Sequence, residues 1–429
     1  MQPLTIARRA SQCRTSAAML PPVARRYRVA LYSHDTMGLG HTRRNQLIAQ
    51  TLVASGLPVD VLLLRGMNEG NVPLPAGVDC LTLPALRKDA DGRYGARSLS
   101  LNLADIIELR GQTIHAALAA YTPDVLIVDN VPRGAQHELD RALVHLRAAG
   151  RTRCILGLRD VLDDPASVRR EWQQAANEAT IANYYDAVWV YGDRKVYDPV
   201  RAYGFGPALA AKMRFTGYLD QRARLRHAPP TDAALPGLPE QPFALCMVGG
   251  GQDGMQLAEA FAQADLAGLA GVIVTGPFMP AAARARLHSL AAERDDLHIL
   301  SYAAEPTLLL CRAERVVAMG GYNSVAEILS FEKRALIVPR DHPRSEQLIR
   351  AERLQSLNLL SMLRPDDLTP AALSAWLARD LPAPHVHRQL DMDGLARLPL
   401  LLAETLRLSD EQLAPLRLHR EGATVYGTC

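Results

Sequence analysis

No apolar stretch in this sequence approaches the roughly 20 residues that a membrane-spanning helix needs, so no transmembrane segment is predicted. Net charge is scarce too. The formal +3 comes from 48 basic and 45 acidic residues. Residues 1–26 hold five arginines and no acid, which leaves 43 basic residues against 45 acidic in the remainder. A body of net −2 has no field to draw in a polyanion, and nucleic acid is excluded as an expected partner. Cysteines are few and scattered: Cys13, Cys80, Cys154, Cys246, Cys311 and Cys429 form no C-x-x-C and have no histidine at zinc spacing. Buried thiols in a reducing cytoplasm explain them better than disulfides or a metal site. The basic start lacks the apolar core of a secretory peptide. It reads as a disordered extension over residues 1–26, or as sequence upstream of a start at Met19.

A length of 429 residues exceeds one ordinary core and suits two domains. Hydrophobic content of 48% with 22% charged residues is that of a globular protein. Ten short runs rich in Val, Ile and Leu alternate with helical patterns: RVALYS, VDVLLLR, DVLIVDN, RCILGLRD and AVWVYGD, then FALCMVGG, GVIVTGP, LHILSYA, RVVAMGG and RALIVPR. Apolar runs without alternation, each ended by Gly, Asp or Pro, predict buried parallel strands. The fold class is therefore α/β, with two Rossmann-like, doubly wound parallel-sheet domains facing a cleft. The boundaries are set at 27–220 for the first domain, 221–241 for a proline-rich linker and 242–384 for the second domain. Residues 385–429 form a C-terminal helix and tail, the helix running from about Val386 to Arg407. Open parallel sheets bind ligands at the carboxyl ends of their strands, so the loops there are the candidates.

Three loops stand out. MVGGGQDGMQLAEAF ends a strand in consecutive glycines, including Gly250 and Gly251, followed by Gln252; Asp253 is placed to cap the next helix. Glycines there allow a phosphate to approach a helix N-terminus, although a plain tight turn needs them equally, and the absence of a following Gly-Lys-Ser/Thr excludes a P-loop. In AMGGYNSVAEILSFEKRALIVPRDHPRSEQ, Gly320 and Gly321 end a strand, with Ser324 and Glu327 beyond. Ser324 and Glu327 read either as a capping box, which needs no ligand, or as a turn facing a diphosphate with Glu327 accepting from a vicinal diol. Glu346 and Gln347 start the next helix with chemistry suited to sugar hydroxyls. The third loop, SHDTMGLGHTRR, follows the first strand and carries Asp35, Gly38, Gly40, His41, Arg43 and Arg44.

The order of glycine loop, G-G-x-x-S-x-x-E, strand ending in Pro, then E-Q before a helix resembles the donor domain of the GT-B glycosyltransferases. It is similar to the group with a family 28 type C-terminal domain that contains the lipid-intermediate GlcNAc transferase of peptidoglycan synthesis. With MGLGHTRR, PDVLIVDN and GLRDVLDD the chain looks still more like a bacterial branch of predicted glycosyltransferases. The resemblance runs from about Tyr27 to Leu381. It implies that Glu327 holds ribose, that Gln347 meets the donor sugar, and that Gly250, Gly251 and Gln252 match the family's G-G-S-Q-G loop. Two departures concern the acceptor side. The relatives begin the first loop with Gly-Gly and place Pro after the His, where this chain has HDTMGLGHTRRN. LRDVLDDP stands where some relatives carry His-Glu-Gln-Asn.

The reaction expected is inverting transfer of a sugar from a nucleoside-diphosphate sugar, a UDP-hexose or UDP-HexNAc, to an acceptor hydroxyl without a metal. The donor is the only small-molecule requirement, with no cofactor. His41, at a helix start that favours its neutral form, is the first candidate for base or phosphate donor, and Asp35 is the second. Arg43 or Arg44 would neutralise the diphosphate. Asp129, Asn130, Arg159 and Asp160 are acceptor-side candidates, though Asp and Asn also cap helices in any fold. The acceptor, whether glycan, lipid-linked or small molecule, stays open. The rivals are a sugar-nucleotide epimerase or hydrolase, and a non-catalytic nucleotide-sugar binding subunit. A cytoplasmic location is expected. Peripheral contact with the inner membrane face through the arginine-rich start or LRKDADGRYGAR is the alternative to reading the latter as a polar loop.

Overall fold

The computed structural model describes residues 25–35, 40–66, 74–88, 94–227, 238–251, 253–303, 305–414 and 416. Gly38 and Gln252 lie outside them. The ten apolar runs are all strands: β1 (Tyr27–Ser33), β2 (Val59–Arg65), β6 (Val125–Asp129), β7 (Arg153–Arg159) and β8 (Ala187–Tyr191), then β10 (Phe243–Met247), β11 (Ala270–Val274), β12 (Leu297–Leu300), β13 (Arg315–Ala318) and β14 (Arg334–Ile337). Three further strands extend the sheets, β3 (Val78–Thr82), β9 (Met213–Phe215) and β15 (Ser361–Met362), while β4 (Leu86–Lys88) and β5 (Tyr94–Ala96) form an antiparallel hairpin. The segment read as a polar loop from Leu86 thus contains paired strands.

The first sheet has the order β3-β2-β1-β6-β7-β8-β9 and the second β12-β11-β10-β13-β14-β15, every pair parallel. Central strands such as β6 and β10 are buried along their whole length, as helices on both faces require. In each sheet the order reverses beside the first strand, between β1 and β6 and between β10 and β13. Ligands enter doubly wound sheets at such reversals. The loops leaving these four strands carry His34–His41, Asp129–Asn130, Gly249–Gly251 and Gly320–Gly321.

The segment expected as linker starts as a 3₁₀ turn, Gln221–His227, that packs inward and buries Gln221 and Arg224. The tail expected as one helix is broken in two, Val386–Gln389 and Gly394–Leu406, because Asp391 and Asp393 pair with the first domain. The Tyr218 amide donates to the Asp391 carbonyl at 2.8 Å, and the Gly394 amide to the Tyr218 carbonyl at 3.0 Å. The last helix thereby returns to lie on the helix Gly40–Val53 of the first domain. Among the described cysteines, Cys80, Cys154 and Cys246 are free thiols. Cys311 is disulfide-bonded, so the expectation of thiols alone fails there.

Candidate functional site

Two helices from different domains meet end to end. A β-carbon on Gly40, the first residue of the helix Gly40–Val53, would lie 2.3 Å from the side-chain nitrogen Nδ2 of Asn323, in the first turn of the helix Tyr322–Ser330. A larger residue at that position would have to push the Asn323 side chain aside. The contact brings together two helix N-termini, each with free N–H groups and a partial positive charge.

His41 stands one residue into the first of these helices. Its Nδ1 lies 2.7 Å from Asp129 Oδ2 at the end of β6. Arg44 Nη2 donates to both Asp129 oxygens, at 2.6 and 2.7 Å, and lies 3.0 Å from His41 Nδ1. A carboxylate only accepts, so the 2.7 Å contact places the proton on Nδ1, and Arg44 is then a neighbour and not a donor to the ring. Nε2 is the ring nitrogen left over, and it has no hydrogen bond among the described residues. Burial opposes ionisation of Asp129, but the charges of Arg44 and His41 outweigh it and hold its carboxyl well below the usual range. The Arg44 guanidinium is sandwiched between Tyr191 of the first domain and Tyr322 of the second, 5.7 and 5.2 Å from their ring centroids. The His34 ring is 4.9 Å from that of His41. Burial first, then the charge of His41, depress its pKa to about 3, so it is neutral at physiological pH.

Asp35 is elsewhere engaged. It is fully buried at φ +42°, and its Oδ2 accepts from Ser33 Oγ at 2.7 Å and from the Gly66 amide at 3.0 Å. No hydrogen bond joins it to His41, and its contacts are those of a residue fixing the turn after β1.

On the donor side, Glu327 is no cap: the N-cap of its helix is Gly321, without a side-chain bond, and Ser324 lies inside the first turn. The capping-box alternative is therefore not realised. Instead Glu327 is buried and its Oε1 accepts from Arg43 Nη2 of the first domain at 3.1 Å, beside Glu305 Oε1 at 2.8 Å. Arg224, from the segment expected as linker, donates to the Arg43 carbonyl at 2.6 Å. Burial dominates at Glu327 and raises its pKa, whereas at Glu305 the arginine charges outweigh burial and lower it. Gln347 Oε1 accepts from the Arg340 amide at 3.0 Å, which leaves its amide nitrogen as the remaining donor group. The Arg340 side chain joins Glu346 at 3.0 Å to Asp253 at 2.8 Å. Asp253 is thus tied to Arg340 and does not cap the helix Met255–Ala262, whose N-cap Gly254 has no side-chain bond. Gly251 and Gly320 adopt φ of +91° and +88°. A β-carbon on Gly251 would lie 2.2 Å from the Thr275 carbonyl.

Asp160, expected near the acceptor, is enclosed in a lock between the domains. Arg350 Nη2 and Nε donate to its Oδ1 at 2.8 and 3.0 Å, and Tyr218 donates to its Oδ2 at 2.7 Å. Arg350 also reaches the Gly320 carbonyl at 3.2 Å. Arg344 and the Ser345 amide hold Asp163 in the same seam, at 3.0 and 2.8 Å. Asn130 takes a left-handed φ of +67° and donates its amide to the Gly157 carbonyl at 2.7 Å. The shut-off side-chain atoms without a partner include Asn130 Oδ1, Arg159 Nε, Tyr191 Oη, Tyr322 Oη and Glu346 Oε2. These five lie at the carboxyl ends of parallel strands or on the loops and helix starts that follow them, the end at which doubly wound sheets bind ligands. Among the described residues, no group of three or more His, Cys, Asp or Glu side chains is arranged to hold a metal ion. No helix there is long and apolar enough to cross a membrane.

Sequence reasoning missed Arg224, Glu305, Arg350 and Tyr322. Nothing in their local sequence marks them, because their partners lie across the domain seam.

Residues 245–393 match the glycosyltransferase family 28 C-terminal domain. No curated protein matches the sequence. Solved structures share the whole architecture. The glycotransferase of kitacinnamycin is 17% identical with a TM-score of 0.54, over 91% of this chain and 100% of that one. Phytolacca americana UGT2, complexed with UDP-2-fluoro-glucose and pterostilbene, is 14% identical with a TM-score of 0.55, over 92% and 99%. The UDP-GlcNAc 2-epimerase from Neisseria meningitidis bound to UDP-GlcNAc is 10% identical with a TM-score of 0.52, over 90% and 100%. At these identities the likeness establishes the fold, and the fold is GT-B.

Proposed function

We propose that this chain is a glycosyltransferase, moving a sugar from a nucleoside-diphosphate sugar to an acceptor hydroxyl with inversion. The observation that carries the reading is the His41–Asp129 pair, whose free Nε2 stands at the meeting of two helix N-termini. In the proposed step Nε2 takes the proton of the acceptor hydroxyl. The acceptor oxygen bonds to the anomeric carbon from the face opposite the bond to phosphate, which breaks and leaves the electron pair on the diphosphate. Asp129 fixes the Nδ1–H tautomer and balances the imidazolium as it forms. The departing charge is met by the N-terminus of the helix Tyr322–Ser330 behind the Gly320–Gly321 turn, a role for which no metal is required.

Glu327 would accept from the ribose diol, in place of Arg43, and Gln347 would offer its amide nitrogen to the donor sugar. A uridine diphosphate is favoured because fold relatives of both kinds were solved with UDP-sugars. The family 28 match over residues 245–393 supports a donor role for the second domain.

A 2-epimerase is the second reading, since that class shares the fold equally well. Two measurements decide. A thermal-shift screen should show a raised midpoint with UDP and at least one UDP-sugar, and no shift with any nucleoside diphosphate would sink both readings. Incubation with UDP-GlcNAc alone should leave the sugar's C2 configuration intact; accumulation of the C2 epimer would replace transfer by epimerisation.

A further inference from the structure

Arg159 ends β7, beside the β6 end that carries Asp129, to which β7 is paired through Gly157. It contrasts with every arginine around it. Arg43 has Glu305 and Glu327, Arg44 has Asp129, Arg340 has Glu346 and Asp253, and Arg350 has Asp160. No hydrogen bond or ion pair among the described residues reaches the Arg159 guanidinium, and its Nε is closed to solvent with nothing to donate to. Burial pushes its pKa below the ordinary arginine value, and the attraction of Glu346 and Asp129 fails to restore it against Arg350 and Arg44. Neither neighbouring carboxylate forms an ion pair with it: Asp129 is taken by Arg44 and His41, and Glu346 meets Arg340 through Oε1. Arg159 is half-buried, and a half-buried cation with no ion pair of its own is one that a ligand anion would complement.

We infer that Arg159 is an oxyanion-binding subsite of the cleft, filled by a phosphate or carboxylate group of a ligand. Its fork of N–H donors suits two oxygens at once, and it stands at the carboxyl end of its strand, where open parallel sheets bind ligands. The assignment of the occupant rests on the transfer reading and has two sources: an acid group on the acceptor, or the diphosphate of the donor. The anion binding itself does not depend on that reading.

The test uses the full chain with inorganic phosphate and UDP as probes, in the parent protein, Arg159→Met and Arg159→Lys. Without ligand, Arg159→Met should melt no lower than the parent, because no hydrogen bond or ion pair is lost with the guanidinium. Phosphate should raise the parent's midpoint, raise that of Arg159→Lys less, and leave Arg159→Met unmoved. Phosphate protection that adds to that of saturating UDP identifies an acceptor-borne acid group. Competition between the two, with a tenfold or greater loss of UDP affinity in Arg159→Met, identifies the donor diphosphate. A lower midpoint for ligand-free Arg159→Met, or unchanged phosphate and UDP binding in that variant, overturns the subsite. Phosphate protection without any nucleotide binding by the parent would keep the subsite and remove the transfer reading.

Discussion

Asp160→Asn removes one charge from the lock between the domains and changes almost nothing in volume. Arg350 would keep its bonds to the Gly320 and Val161 carbonyls, at 3.2 and 3.3 Å, but would lose the anion that three of its contacts reach within 3.1 Å. Neither partner meets solvent: the side chains are 0% and 1% exposed. Stripping one member from such a pair leaves a bare charge in a dry seam, which costs about 3–5 kcal/mol, several times the ~0–1 kcal/mol of an exposed pair. The assay is urea unfolding followed by tryptophan fluorescence. Trp172 and Trp189 report on the first domain and Trp376 on the second. Asp160→Asn should lower the unfolding free energy by about that amount, and it should separate the two domains' transitions because the lost contact joins them. Arg350→Met combined with Asp160→Asn should recover much of the loss, since the uncompensated charge has gone too. A loss below about 1 kcal/mol in the single variant would show that water reaches the pair and would refute the account of the seam.

Further expectations concern the site and its pH response. His41→Ala should lower kcat by roughly 10²–10⁴ and leave donor affinity nearly intact, with Asp129→Asn falling in the same range; Asp35→Asn should act mainly on stability, and a kinetic loss at Asp35 with none at His41 would move the base to the carboxylate. Glu327→Gln keeps the size of a buried side chain but gives up charge-assisted bonds of roughly 1.5–3 kcal/mol each, so UDP affinity should fall at least tenfold; unchanged affinity in calorimetry would make Glu327 a partner of Arg43 alone. Gln347→Ala should weaken a UDP-sugar and spare UDP, and equal losses would place Gln347 at the phosphates. His34, with its pKa lowered from 6.5 to about 3, binds a proton in the unfolded chain first. Its contribution to stability is therefore complete above pH 6.5 and is lost as pH falls from there towards 3, about 2 kcal/mol between pH 7 and 5. Asp129 acts in the same direction at lower pH, so the comparison is with His34→Gln, whose stability should fall by that much less over the interval; parallel pH curves would show that His34 protonates freely.

The fold was legible because its strands are short, wholly apolar and stopped by Gly, Asp or Pro, a pattern that helices on both faces of a sheet impose. Of the strands that escaped notice, β4, β5, β9 and β15 have three residues or two, too few for any period, and β3 is an edge strand with polar positions. Local sequence also marked the loops that matter, since Gly40, Gly251 and Gly320 serve close approaches and positive φ angles visible as glycine clusters. It could not say which side chains meet. His41 and Asp129 lie 88 residues apart and Arg43 and Glu327 lie 284 apart, pairings fixed by the topological reversal and the domain seam. The same distance explains why Asp160 read as an acceptor contact. Its strand-end position is shared by ligand-binding and structural carboxylates alike, and only Arg350 from the other domain decides between them.

The seam also explains how one carboxylate can serve two partners. Arg43 sits 2.8 Å from Glu305 and 3.1 Å from Glu327, and both bonds use the same nitrogen, Nη2. Glu305 is further anchored by the Thr307 hydroxyl at 2.8 Å, and its ionisation is favoured where that of Glu327 is opposed. Of the two, Glu327 is the carboxylate whose charge is less well provided for, and Arg43 keeps an ion pair when Glu327 is released. In the proposed donor complex, a ribose diol at Glu327 would therefore exchange one bond for two without stranding the arginine. The Asp160–Arg350 lock would be untouched by that exchange, so the two domains would stay joined as the nucleotide entered.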